Sequence, residues 1–208
     1  MAKPDGPVLW AGVPSSPRIS ASPQAGFRVA VLAFAAILGA QAAWILVAGA
    51  ASALPGGGTC LAARVALWRG DYWAACAQAG GREGAEAAEH AVRLAPHEAG
   101  AWLVLARHPP PGGNAADCLK MSYYTGPNAA ELMAQRLAVS VEPAMLGDDD
   151  IRLLMRHDIA GIVSRHQLPS IVTAHRQASP EGRRAIEAAV GEVDAALPGA
   201  LRAGTRSP

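Results

Sequence analysis

Between residues 29 and 54 the chain reads VAVLAFAAILGAQAAWILVAGAASAL, in which Gln41 and Ser52 are the only polar members; no charge falls between Arg28 and Arg64. About 20 apolar residues in a helix cross the hydrocarbon core of a bilayer. A helix that is apolar all round has no face to offer water, so a membrane-spanning helix is expected over residues 28–54. Past Pro55-Gly56-Gly57-Gly58 the pattern breaks into shorter runs, of about 10 to 20 residues, whose apolar positions recur three and four apart. Pro and Gly clusters separate these runs, and none shows the alternation of a strand. Helices are predicted over 61–69, 72–79, 83–94, 99–107, 115–124, 129–141, 149–165, 169–177 and 180–193, the last with Ser179 as N-cap and Pro180 at the first helical position. The clearest stripe is Ile151, Leu154, Met155, Ile159, Ile162 and Val163. Asp148, Asp149 and Asp150 at its start and Arg165 and His166 at its end complement the helix dipole. The fold class is all-α.

The flanks of the apolar segment set its orientation. Lys3, Arg18 and Arg28 precede it against Asp5 alone, and no Lys or Arg follows until Arg64, so the basic side stays in the cytoplasm. Residues 1–27, with Pro4, Pro7, Pro14, Pro17 and Pro23, read as a disordered cytoplasmic tail. Residues 28–54 are a signal-anchor, 55–60 a linker, 61–198 a periplasmic helical domain, and 199–208 a disordered tail. The chain is then expected in a bacterial inner membrane as a single-pass protein, its bilayer contact made by residues 29–54. A cleaved signal peptide is the competing reading, because Ala51-Ser52-Ala53 is an A-x-A site, although the apolar run exceeds the usual length of such a region. Gly58 and Thr59 before Cys60 do not make a typical lipid-attachment site.

Composition narrows the function classes. Lys+Arg 18 against Asp+Glu 17 leaves a net charge of +1, which excludes a polyelectrolyte that binds nucleic acid through bulk charge. The 51% hydrophobic content is too high for a disordered chain. Forty-seven alanines, against 5% aromatic residues, reinforce the helical reading.

Ala91, Leu94 and Pro96, followed by Trp102, Leu105 and Ala106, carry the spacing of two-helix repeats: small residues at the helix crossing, a terminating Pro, then a large aromatic in the next helix. This resembles a tetratricopeptide repeat (TPR). A second partial match places Ala115 at the crossing and Pro127 at the end, with Ser122 where Ala is expected. The resemblance covers roughly residues 61–141, in degenerate form, and the helices beyond Asp148 are expected to cap the stack. The segments 119–128, 158–159 and 178–184 are similar to a group of uncharacterised, membrane-anchored TPR-like proteins of alphaproteobacteria, a resemblance that implies a fold and a location but no activity. Stacked two-helix repeats leave a concave surface for a peptide or partner helix. Most large rings in such a stack fill the core, and an exposed pair marks a partner site, so Trp73, Trp102, Tyr123 and Tyr124 are the candidate partner-binding residues.

Local chemistry is sparse. Cys60, Cys76 and Cys118 are an odd number in an oxidising compartment. Cys76 and Cys118 fall on second helices of neighbouring repeats and are candidate disulfide partners, with two buried free cysteines as the alternative; Cys60 would then be unpaired beside the membrane and able to link two chains. His157, His166 and His175 recur every nine residues, so no two share a helical face for a metal. The acidic triplet lacks the interleaved order of a calcium loop, and neither a G-x-S-x-G elbow nor a phosphate loop is present. No catalytic residue, cofactor or metal is therefore expected. Ala35, Gly39 and Ala43, spaced by four in the apolar segment, are candidate membrane-helix packing residues and would suit a homodimer. The expected work is that of a scaffold or adaptor binding membrane or envelope proteins, in polysaccharide or secretion machinery for instance. The alternatives are a small accessory subunit of a larger membrane complex and, less favoured, an envelope enzyme.

Overall fold

Residues 23–52, 58–80 and 83–204 are described by a computed structural model of the chain. The tail before Pro23, the core of the linker at 53–57 with Ala53 of the A-x-A site, residues 81–82 and the last four residues lie outside the described residues. Among the described residues there are eleven α-helices and no strand: α1 (Pro23–Ser52), α2 (Gly58–Val65), α3 (Gly70–Ala79), α4 (Gly84–Leu94), α5 (Ala99–Arg107), α6 (Ala115–Thr125), α7 (Ala130–Ser140), α8 (Asp149–Ser164), α9 (Leu168–Gln177), α10 (Pro180–Val193) and α11 (Leu197–Gly204).

The chain divides into two compact units at Trp44. The first holds most of α1, whose residues from Gly26 to Val47 are all exposed. Over Gly26–Ala51 this helix is long and apolar enough to cross a membrane, at a mean hydropathy of 2.2. The second unit runs from Ile45 onward, and within it Ala48 and Ala51, in the last turns of α1, are buried.

In the second unit consecutive helices pack as sequential hairpins, α2 on α3, α3 on α4, α5 on α6 and α7 on α8. Alternate helices also touch, so α3, α5, α7 and α9 form one row and α6, α8 and α10 another, while α11 closes against α9 and α10. Local chemistry fixes the helix starts. Asp148 accepts from the backbone N–H of Asp150 and Ile151 at 3.0 and 3.2 Å, Ser179 from Gly182 at 3.0 Å, and Asn114 from Ala116 at 3.0 Å. At the other end of α8, His166 at φ 57° closes a Schellman turn in which Gln167 N donates to Ile162 O and His166 N to Val163 O, both at 3.0 Å. Close helix approach depends on Gly70, where a Cβ would stand 2.5 Å from that of Ala95, and on Gly182, where it would stand 2.5 Å from Val141 O.

Two apolar clusters form the interior. The first, centred on α2 to α6, is rich in alanine; the second, from α7 to α11, is built on Met133, Leu137, Met155, Ile159, Ile162, Ile171 and Ile186. α7 and α8 serve both, with Leu132, Val139 and Ile151 in the first and Met133, Leu137, Met155 and Ile159 in the second. Three boundaries differ from the expected ones, the first at Pro23, where α1 begins inside the stretch read as tail. α2 begins at Gly58, inside the stretch read as linker, because Gly58 is buried and Cys60 is held to α3. Where a tail was expected from residue 199, α11 forms, because Leu201 is buried in the second cluster and Arg202 reaches Glu187 at 3.0 Å.

Candidate functional site

The disulfide expected between Cys76 and Cys118 is replaced by another. Cys60 and Cys76 are bonded, joining α2 to α3 with their Cα atoms 4.6 Å apart, and Cys118 is a buried free thiol. α2 packs directly on α3, which brings Cys60 to Cys76 across the hairpin, whereas Cys118 lies on α6. Burial pushes the Cys118 thiol above its ordinary range, with Asp117 adding to the effect.

The large rings separate into two kinds. Trp73 and Trp102 are partly buried, and each donates its indole N–H to a carbonyl six residues back: Trp73 to Leu67 O at 3.1 Å and Trp102 to Pro96 O at 2.8 Å. These equivalent bonds pin the first turns of α3 and α5 to their preceding loops, and Trp73 also stacks on His90 with ring centroids 4.7 Å apart. Tyr123 is 2% exposed, so it is core and offers no partner surface; the helical period turns it inward with Leu119. Tyr124, next to it, is 65% exposed. Ala35, Gly39 and Ala43 all lie on the exposed part of α1, and a Cβ on Gly39 would meet nothing within 4 Å.

Tyr123 belongs instead to a buried polar network in the seam between the two apolar clusters. Arg136, fully buried on α7, donates from Nε to Ser122 Oγ at 3.0 Å and from Nη2 to Ser122 O, and its guanidinium lies over the Tyr123 ring at 4.7 Å. Ser122 Oγ donates to Ala99 O at 2.8 Å, the Tyr123 hydroxyl bonds Ser140 Oγ at 3.2 Å, and Ser140 donates to Arg136 O at 2.9 Å. The network thus ties α5, α6 and α7. Asp158 enters it from α8, fully buried, with no hydrogen-bond partner on either oxygen; Arg136 Nη1 is likewise unbonded. Burial raises the Asp158 carboxyl to about 7, while the nearby Tyr123 hydroxyl and Arg136 charge pull it the other way. Burial also pushes the Tyr123 phenol far up and the Arg136 guanidinium down.

The sequence reading missed this network, yet its signal is in the periodicity. Asp158 falls between Met155 and Ile162 in the apolar stripe of α8, and Arg136 lies between Met133 and Leu137 in that of α7. A charge at a core position of a helical stripe is a buried charge unless the helix rotates. Ser122, noted as a departure from the repeat pattern, is the residue that receives Arg136.

A second polar cluster lies among α9, α10 and α11. His175, 3% exposed, meets Glu187 Oε1 through Nε2 at 2.9 Å, and Arg202 donates to Glu187 Oε2. The His175 contact, followed by Arg202, holds the Glu187 carboxyl below its usual range. Among the described residues no group of three or more His, Cys, Asp or Glu is placed to hold a metal.

An open groove lies between α7 and α9. Its two adjoining parts, of about 360 and 340 Å³, share Ala138, Ala174 and Gln177. Small side chains make its floor, and Arg107, Gln135, Thr173 and Glu142 supply its polar edges. Arg107 is steadied by a bond to Gln135 O at 3.4 Å. This surface carries hydrogen-bond donors and acceptors and side chains of both charge signs, Arg107 and Glu142.

No family model, curated protein or solved structure matches the chain significantly. What stands is the architecture: an all-helical protein of hairpins with one apolar N-terminal helix, a signal or an anchor, which with the disulfide points to the cell envelope.

Proposed function

We propose that this protein is a membrane-anchored scaffold of the bacterial envelope, single-pass, with its N-terminus in the cytoplasm and a TPR-like helical stack in the periplasm that binds a protein partner. The observation that carries this reading is the pairing of an exposed apolar helix with a hairpin stack that presents the continuous α7–α9 groove. The basic flank of α1 supports the orientation, and the Cys60–Cys76 bond supports an oxidising compartment. The degenerate register at Ala91, Pro96 and Trp102 supports the TPR likeness, since the Trp73 and Trp102 bonds repeat from one hairpin to the next. The partner, in this reading, is an envelope protein recognised through a segment laid along the groove, without bond chemistry.

The test is affinity capture of the full-length protein from gently solubilised native membranes, with mass spectrometry of its N-terminus and of co-purifying chains. An intact sequence through Ala53, retained in the membrane after alkaline extraction and carrying a stoichiometric partner that Gln135→Arg displaces, is the expected result. A protein beginning at Leu54 and recovered alone contradicts it.

A further inference from the structure

A stack of helical repeats has two ends, and each end must meet water or something else. At the C-terminal end the exposed charges Glu181, Arg183, Arg184 and Glu192 stand beside exposed Leu168 and Val193. At the N-terminal end the exposure of large apolar side chains is greater. In the turn after α2, Leu67 is 60% and Trp68 64% exposed, and Leu94 at the end of α4 is 47% exposed. These belong to one surface, because Gly70 brings the turn against the end of α4, where a Cβ would lie 3.3 Å from that of Leu94. Leu61 on α2 is exposed as well.

We infer that this apolar end is a second membrane contact, in which the Leu67–Trp68 turn and Leu94 sit in the headgroup and upper acyl region of the bilayer. The inference rests on the anchored reading of α1. Two observations point to lipid as the occupant. Residues 53–57 alone separate α1 from α2, a link that spans on the order of 20 Å when fully extended. Ala48 and Ala51 are buried within the second unit, so the end of α1 is packed into the unit that carries the patch. A Trp beside leucines is a side-chain set of the bilayer interface, where the ring rests among acyl chains. Charge contributes little: Arg64, Arg69 and Arg93 around the patch are paired with Glu83, Asp71 and Glu89 at 2.7, 2.8 and 3.4 Å. The contact is therefore apolar in origin and holds in high salt.

The full-length protein is reconstituted in phosphatidylethanolamine–phosphatidylglycerol vesicles with or without dibrominated acyl chains, which quench tryptophan on contact. Trp44 in α1 reports the anchor, and Trp68 reports the patch. W44F and W68F should each remove a quenched component of comparable size, with W68F unaffected by added salt. L67E should relieve Trp68 quenching while Trp44 stays quenched; Leu67 is exposed, so the substitution leaves the fold in place. If W44F removes a quenched component and W68F does not, the patch faces water or a protein and the inference falls while the anchor stands. If neither removes one, the anchored reading fails first and takes this inference with it.

Discussion

The two halves of the helical stack are held together by different means. Around α2 to α6, nine of the nineteen buried residues are alanine, so the helices approach closely but each side chain removes little apolar area from water. That half carries the Cys60–Cys76 bond. From α7 to α11 the buried residues are mainly Ile, Met, Leu and Val, and no disulfide is present. Between the halves lies the Arg136 network, where α7 and α8 present apolar residues to each side and polar ones to the seam. Small residues give proximity, large ones give burial, and the covalent bond sits where burial is thinnest.

The largest expected effect breaks the second half. Ile159→Ala deletes a fully buried side chain and should cost about 2 to 5 kcal/mol, read as a lower urea midpoint of the full-length protein in detergent. A comparable loss in the first half should need the bond rather than a core side chain. Cys60→Ser with Cys76→Ser frees a link between residues 16 apart and should cost about 3 kcal/mol on the chain-entropy model, with early loss of protection in α2 and α3 by hydrogen exchange. Uniform loss across both halves would argue against two separate modes of packing.

Between these in kind, and comparable in size, is the seam. The Asp158 carboxyl is held at about 7 in the folded chain against an unfolded value of about 3.9, so the folded state keeps a proton that the unfolded state releases. Its contribution to stability is full below about pH 4 and is lost as pH rises through about 7. Asp158→Asn cannot ionise, so its urea midpoint should match that of the parent near pH 4 and exceed it near pH 8. A parent midpoint higher at pH 8, with the difference absent in the variant, would reverse the sign assigned to this group. The smallest effect is at His166, a non-glycine residue in the left-handed region; His166→Gly should raise stability by about 1 kcal/mol.

Much of this fold is written locally. The 99–107 helix stands as α5 at Ala99–Arg107, and Ser179 with Pro180 starts α10, because capping and periodicity are properties of short segments. The partner of Cys76 was not legible, since it depends on where α2 begins, and a run of glycines at 56–58 masks that boundary. Arg136 and Asp158 were legible by spacing and hidden by type: their charge argues for water while their position argues for core. The α7–α9 groove unites residues more than 60 positions apart, from Arg107 to Gln177, and no local pattern reports it.

The central claim is recognition of a partner through that groove, and site-specific photo-cross-linking in intact cells tests it most directly. A photoreactive residue placed at Gln135, in the groove, is compared with one at Ala188, an exposed position on α10 outside it. The account predicts one adduct of defined mass from position 135, containing an envelope protein, and none from 188. The same adducts from both positions, or none from 135, would contradict it.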